Sequence, residues 1–380
     1  MNTLLTKKKW FLLGTLLMVI VLLTGCWDQR LIKESRLILA VGLDLEPNGK
    51  IIDTVVYPVV NKGSNAMSLV KSVVVSSTGV TTRDARINLD KKVSQMFDAS
   101  KNRVFLIGEK LARKEIYSSL DVIYRDPRGS VNAMVAVVKG KAKKSLEIQP
   151  QDSTLMNIYY PELLQSTSAI GLFEIETVQS ICTLMFDEGN DYLLPYLRIN
   201  EQQQRAEVIG TAMFHKRKMT GTLTGKESTL LLLMNGVKQD YPRFTFKIND
   251  QKEMKERNYI TVLVNDIERK MKIHITPDQK VRVKLALKMD VNVNELPVDH
   301  LDSAGKANEL NKTLTREITA LAKKTLAKTQ KANCDELGVG KRIRSFHYGD
   351  WKKMNWEKDY RNISIEPEIK VTIVQHGIIN

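Results

Sequence analysis

Residues 281–293 read Val281-Arg282-Val283-Lys284-Leu285-Ala286-Leu287-Lys288-Met289-Asp290-Val291-Asn292-Val293. Every odd position is apolar, and every even position except Ala286 is polar or charged. A period of two places one set on a buried face and the other in water, as in an antiparallel sheet packed on one side. At about 13 residues the run exceeds the usual strand, so it is expected to bend or to change partners partway. Just upstream, Met271, Ile273 and Ile275 keep the same rhythm, and Thr276-Pro277-Asp278-Gln279 supplies a turn. His274 falls out of phase and is expected to face solvent.

Downstream, residues from Asp302 to Ala332 change to a helical period. Leu310, Leu314, Ile318 and Leu321 lie on one stripe, with Lys312, Arg316 and Lys323 opposite. Lysines crowd its last turns, where the macrodipole is negative. The simplest reading of the basic side is the wet face of a helix packed on its sheet. The competing reading is a face turned toward lipid or a partner. Ile363, Ile365, Ile369, Val371 and Ile373 then alternate as a final strand, and Pro367 assigns that strand to an edge.

The first half reads as mixed α/β. A hairpin is predicted between Leu37–Leu45 and Ile51–Val60, with Asn48-Gly49 at its turn. Val73–Val75 is a short strand. Ala85, Leu89, Val93 and Met96 predict a helix, and Val104–Gly108 a buried strand. Leu111–Tyr124 predicts one further helix, stopped by Arg125-Asp126-Pro127. Val131–Val138 is the next strand. From Pro150 to Leu194 the pattern is helical, and the polar run Ile199–Glu207 suits a linker. The second half opens with a strand at Val208–Phe214 and a turn at Lys218–Gly221.

The amino terminus has a different character. Lys7-Lys8-Lys9 precede an apolar run from Trp10 to Leu23. That run is shorter than the roughly 20 residues of a spanning helix and has the anatomy of a secretory signal peptide. It ends in Leu23-Thr24-Gly25-Cys26-Trp27-Asp28, which resembles the lipobox of bacterial lipoproteins. Cys26 is therefore the expected lipidation site, S-diacylglycerated and N-acylated, and residues 1–25 the cleaved signal. A pair of acyl chains anchors stably where a single chain binds marginally.

The chain of 380 residues carries a formal charge of +15, and loss of Lys7–Lys9 leaves it strongly basic. An exported basic body implies an anionic counterpart such as headgroups, wall polymer or an acidic partner, and export argues against nucleic acid. Beyond Cys26, only Cys182 and Cys334 remain, which is no disulfide framework.

Catalytic patterns fail one by one. The histidines at 215, 274, 300, 347 and 376 form no HxxxH or HExxH pair, so no metal or cofactor is implied. Gly221-Thr222-Leu223-Thr224-Gly225-Lys226 falls one residue short of a phosphate loop, and Glu227 stands where Ser or Thr is needed. Gly338-Val339-Gly340 follows a helix and lacks the third glycine of a dinucleotide turn. Ser68-Leu69-Val70-Lys71 fits SxxK without its companion motifs. Asp187 and Glu188 could serve acid/base chemistry only with suitable geometry. The residues favour binding or assembly over catalysis.

Across nearly its whole length the chain resembles the Ger(x)C family of spore germination lipoproteins, the C subunits of nutrient germinant receptors. Residues that carry the likeness include Gly25-Cys26-Trp27-Asp28, Gly42-Leu43-Asp44-Leu45 with Asn48-Gly49-Lys50, and Ser76-Ser77-Thr78-Gly79. Ile107-Gly108-Glu109-Lys110-Leu111-Ala112, Ile209-Gly210-Thr211-Ala212-Met213-Phe214 and Asp335-Glu336-Leu337-Gly338-Val339-Gly340 continue it. Leu31 stands where the family usually has Glu, and Cys334 where Ala is common.

The resemblance implies an α+β, mixed α/β protein of two to three domains, with mixed and antiparallel sheets carrying packed helices. The expected division is a signal at 1–25, an N-terminal domain at 26–200 and a C-terminal domain at 206–380. The last would split near 206–297 and 298–380. It also implies a lipid-anchored, non-enzymatic subunit on the outer face of the spore inner membrane, assembled with membrane A and B subunits. The alternative is an extracytoplasmic lipoprotein that captures a small nutrient itself. A wall hydrolase has only its location in favour.

Overall fold

The computed structural model describes residues 10–15, 18, 35–61, 69–150, 155–250, 252, 254–297 and 304–375. Cys26, Ser68, His300 and His376 lie outside them. In chain order the first elements are β1 (Ser35–Leu37), β2 (Ala40–Leu45), β3 (Ile51–Asn61) and β4 (Leu69–Gly79). β2 and β3 form the predicted hairpin, with Gly49 at φ 85° in its turn. β4 runs far beyond Val73–Val75 because it pairs with β3 along its whole length.

Helix α1 (Thr82–Asp90) starts where the Thr81 hydroxyl accepts the Asp84 N–H at 3.1 Å. It stops well before Met96, which instead enters β5 (Met96–Asp98), the parallel partner of β1. The Asp90 carboxylate fixes that change of direction by accepting the Phe97 N–H at 3.2 Å. After β6 (Val104–Gly108), the single helix expected over 111–124 is two: α2 (Glu109–Lys114) and α3 (Tyr117–Arg125). Glu115 between them is extended, and the Ile116 N–H goes to the Arg217 carbonyl at 3.0 Å instead of continuing a helix. α3 ends before Pro127 as predicted.

β7 (Met134–Val138), α4 (Ala142–Glu147), α5 (Met156–Ala169), α6 (Val178–Phe186) and β8 (Tyr192–Asn200) follow. The helical reading therefore fails past Phe186, since Leu193 and Leu194 are buried strand residues. β9 (Arg205–His215) folds back on β8, so the polar run expected to be a linker is a hairpin turn within one sheet. β10 (Lys218–Thr224) pairs with β9 around a turn at Lys216-Arg217, and the turn expected at 218–221 is the bulge between Met219 and Gly221. The resulting sheet has eight strands in the order β10-β9-β8-β7-β6-β2-β3-β4. Its middle, β2, β6, β7 and β8, is parallel.

Helices cover both faces. Leu111, Leu120, Ile181 and Met185 of α2, α3 and α6 pack on one side. Leu146, Tyr160 and Leu164 of α4 and α5 pack on the other. Asp44, buried at the end of β2, accepts the Ala142 and Lys143 N–H groups at 2.7 and 2.8 Å and so caps α4. Burial raises its pKa, against those two hydrogen bonds. A side chain at Gly108 would meet the Asp44 carboxylate, with its Cβ only 2.0 Å from Oδ1.

The second sheet contains β11 (Arg243–Lys247), β12 (Tyr259–Ile275), β13 (Val281–Glu295) and β14 (Ser364–Gln375), in that order. β13 keeps β12 on one side and β14 on the other throughout, and register shifts absorb its length. Against one face lie α7 (Gly225–Asn235) and α8 (Ala304–Lys331). Leu314, Ile318, Ala322 and Leu326 of α8 are buried there with Val283, Leu285 and Leu287 of β13.

β14 is the predicted edge, and α8 blunts it. Thr315 Oγ1 accepts the Val371 N–H at 3.1 Å, and Asn311 Oδ1 accepts the Ile373 N–H at 2.8 Å.

Candidate functional site

The residues after α8 bring the two sheets together. Asn333 closes the helix in the left-handed region at φ 54°. The Cys334 N–H then reaches back to the Thr329 carbonyl at 2.9 Å, and the Asn333 N–H to Gln330 at 3.0 Å. The chain is delivered against the start of β8. There the Asp191 N–H donates to the Asp335 carbonyl at 3.1 Å, and the Asp335 N–H donates to Asp191 Oδ2 at 2.8 Å.

The Asp335 carboxylate turns the other way, into the first turn of the next helix, α9 (Val339–Phe346). Its Oδ1 accepts the Val339 N–H at 3.0 Å, and its Oδ2 accepts the Gly340 N–H at 2.8 Å. The Trp356 indole N–H also donates to Oδ2, at 3.1 Å. Placing a carboxylate on free amides at a helix start satisfies orphan donors and uses the positive end of the dipole. Burial nevertheless pushes the Asp335 pKa up to about 7, opposed by these amides and assisted by Asp191.

Asp191 is equally committed. Its Oδ1 accepts the Lys216 N–H at 3.0 Å, and His215 Nδ1 lies 3.1 Å from Oδ2. Asn333 Nδ2 stands 3.4 Å from His215 Nε2 and donates to the Glu357 carbonyl at 3.0 Å. These contacts suit the tautomer that carries its proton on Nδ1.

The backbones also touch. The Lys341 N–H donates to the Gly189 carbonyl at 2.7 Å. A Cβ on Gly340 would sit 2.3 Å from Trp356 Nε1 and 2.7 Å from the Gly189 Cα. Only glycine permits so close an approach. Beside this junction, Arg344 and Lys341 pair with Asp187, and Lys216 pairs with Glu357.

A groove of about 490 Å³ opens over the junction between Asp187, His215, Lys216, Trp351 and Trp356. Chemically the arrangement is a latch. Asp191 and Asp335 spend their oxygens on backbone amides, an indole and an imidazole, and the Cys334 thiol nearby is fully buried. Burial drives that thiol pKa well up, with Asp191, Glu336 and Asp335 adding to the effect. A thiol so placed is a poor nucleophile.

Glu336 faces a second set of acids. One of its oxygens is enclosed without a hydrogen-bond partner among the described residues. Burial, then Glu176 and Glu174, raise its pKa strongly. Burial alone raises Glu174, and burial leads in raising Glu176. Among the described residues, no group of three or more His, Cys, Asp or Glu side chains is placed to hold a metal ion.

The structure sorts the residues singled out in the sequence. Cys26 is outside the described residues. Asp187 enters the groove, whereas Glu188 lines it without an ion pair among the described residues. His215 joins the latch and His274 is exposed, as its phase predicts. The failed phosphate loop is the β10–α7 junction, where buried Glu227 accepts the Thr224 N–H at 2.9 Å and pairs with Lys328 at 2.7 Å. Burial would raise the Glu227 pKa, but the Lys328 contact and the Thr224 bonds hold it below the ordinary value.

Asp191 and Trp356 were missed by sequence reasoning. The available signal was an Asp two residues after Gly189 and just ahead of an apolar run. That pattern identifies a turn and leaves its partner 144 positions away unspecified.

Residues 28–199 match the family model described as spore germination protein N-terminal domain. Residues 209–377 match the model described as spore germination B3/GerAC like, C-terminal. YfkR of Bacillus subtilis (strain 168) is 22% identical over 385 positions, which cover 96% of each chain. Spore germination protein KC of the same strain is 23% identical over 407 positions, covering 98% of this chain and 97% of that one. The crystal structure of the GerBC protein superposes with a TM-score of 0.56 at 16% identity, over 88% of this chain and 96% of that chain. The fold is thus shared.

Proposed function

This chain belongs to the GerAC-like spore germination protein family, whose two domain models cover it almost end to end, and from that premise we propose that it is the lipid-anchored, non-enzymatic C subunit of a nutrient germinant receptor. Acylated Cys26 tethers it to the outer face of the spore inner membrane, where it assembles with the membrane A and B subunits. The observation that carries this reading is the latch. Buried Asp191 and Asp335 hold the two sheets in one arrangement, and their oxygens are taken up by backbone amides, an indole and an imidazole instead of facing a substrate. None of the described helices is long and apolar enough to cross a bilayer; in this reading the acylated amino terminus supplies the attachment.

The test is recovery of the tagged chain from detergent-solubilised spore membranes. Co-purification of two integral membrane proteins is expected, with membrane attachment lost in Cys26→Ala. Recovery of the chain alone, under conditions that keep other membrane complexes intact, would refute the assembly reading and favour direct capture of a small solute.

A further inference from the structure

Helix α8 spans Ala304–Lys331, 28 residues, or about 42 Å at the helical rise. Its buried side carries Leu314, Ile318, Ala322 and Leu326. The opposite side is an uninterrupted exposed stripe of Lys312, Arg316, Ala320, Lys323, Ala327 and Lys331. The helical period places all of these within about 100° of arc, diametrically opposite the core residues.

Glu309, at the start of the stripe, is an exposed acid, and Arg316 pairs with Glu317 at its border. Lys312, Lys323 and Lys331 make no ion pair among the described residues. Lys324 differs, because it turns aside to Glu227 at 3.6 Å. The stripe therefore offers three lysines without an ion pair among the described residues, together with Arg316, separated by alanines and with no large apolar side chain among them.

That composition discriminates between partners. The centre of a protein interface is depleted in charge, especially lysine, and draws its affinity from buried aromatic and apolar anchors. This stripe has neither. Lysines and arginine spread along a straight rod instead match a plane of anionic headgroups, which needs no fitted pocket and attracts each cation separately.

We propose that the exposed face of α8 lies against an anionic phospholipid surface. This contact goes beyond the proposed acyl tether: the tether fixes one end of the chain, and the helix sets how the body lies on the bilayer. Alanines at 320 and 327 let the helix approach, while the long lysine stems reach the phosphates.

The test uses the full chain and its Lys312→Gln, Arg316→Gln, Lys323→Gln, Lys331→Gln variant. Glutamine keeps the helix propensity of the residues it replaces. Vesicles of phosphatidylcholine alone are compared with vesicles containing phosphatidylglycerol by co-sedimentation. Binding to neutral vesicles reads the amino-terminal anchor and is common to both proteins.

On anionic vesicles the wild type should bind more tightly than on neutral ones, and the variant should lose at least about tenfold, given roughly fivefold per cation near such a surface. High salt should erase the difference. Circular dichroism should give the same melting temperature for both. Equal binding of the two proteins to anionic vesicles would overturn the proposal. So would unchanged vesicle binding with loss of an acidic protein from the variant's complex, since the face would then serve a protein partner. Absence of binding to neutral vesicles would count against the anchor alone.

Discussion

Replacing Asp335 with Ala removes the centre of the latch. Three donors lose their acceptor: the Val339 and Gly340 N–H groups and the Trp356 indole. Val339 and Gly340 are buried, so their amides have no water to turn to, whereas Trp356 is half-buried and its indole can be hydrated. At about 1–3 kcal/mol for each buried unsatisfied group, the two amides alone cost about 2–6 kcal/mol. That is a large part of the roughly 5–15 kcal/mol that holds a typical protein folded. Asp335→Asn keeps one acceptor oxygen and should cost about half as much.

The pH dependence has a definite sign. The folded pKa of Asp335, about 7, lies above the ordinary 3.8, so the folded state holds a proton that the unfolded chain releases. The contribution of this group is complete below pH 4 and is lost as pH rises through 7. Glu336, Glu174 and Glu176 are raised too and act in the same direction. Urea unfolding followed by tryptophan fluorescence, at pH 5 and pH 7.5, reads both effects. The wild type should be more stable at pH 5, and Asp335→Asn should flatten that difference. An Asp335→Ala unfolding free energy within about 0.5 kcal/mol of wild type would refute the claim that this carboxylate joins the sheets.

Three further outcomes follow from single contacts. Gly340→Ala forces a Cβ into the Gly189 backbone and the Trp356 ring; it should destabilise by about 1–3 kcal/mol, and a neutral result in thermal melts would show that the junction can open. Asn311→Ala with Thr315→Val leaves two β14 amides on an uncovered edge. Light scattering should then show concentration-dependent association, and a monodisperse double variant would refute the edge argument. In a Cys26→Ala background, a soluble thiol reagent should modify half-buried Cys182 in the native state. Fully buried Cys334 should react only on unfolding, and fast native labelling of both thiols would contradict its placement.

Local patterns carried much of the fold. Alternation at 281–293 identified β13, the leucine stripe identified α8, and Pro367 marked β14 as an edge. Each depends on neighbours a few positions away, and the side-chain periods of 2 and 3.6 report them directly. The readings that failed were those where a distant group decided. One helix became α2 and α3 because Arg217 claims the Ile116 N–H. The polar run after Ile199 became a hairpin because β9 completes a sheet begun at β2.

The latch shows the same division. Sequence alone determined that a helix ends near Ala332 and that Gly338-Val339-Gly340 follows it. It also presented Cys26 in a lipobox and a basic stripe on α8. Tertiary structure decided that Asp335 meets Asp191 across 144 positions, that Gly189 faces Gly340, and that Glu227 is buried against Lys328. A buried carboxylate is stable only where the fold surrounds it with donors, and those donors come from segments whose proximity no local period encodes.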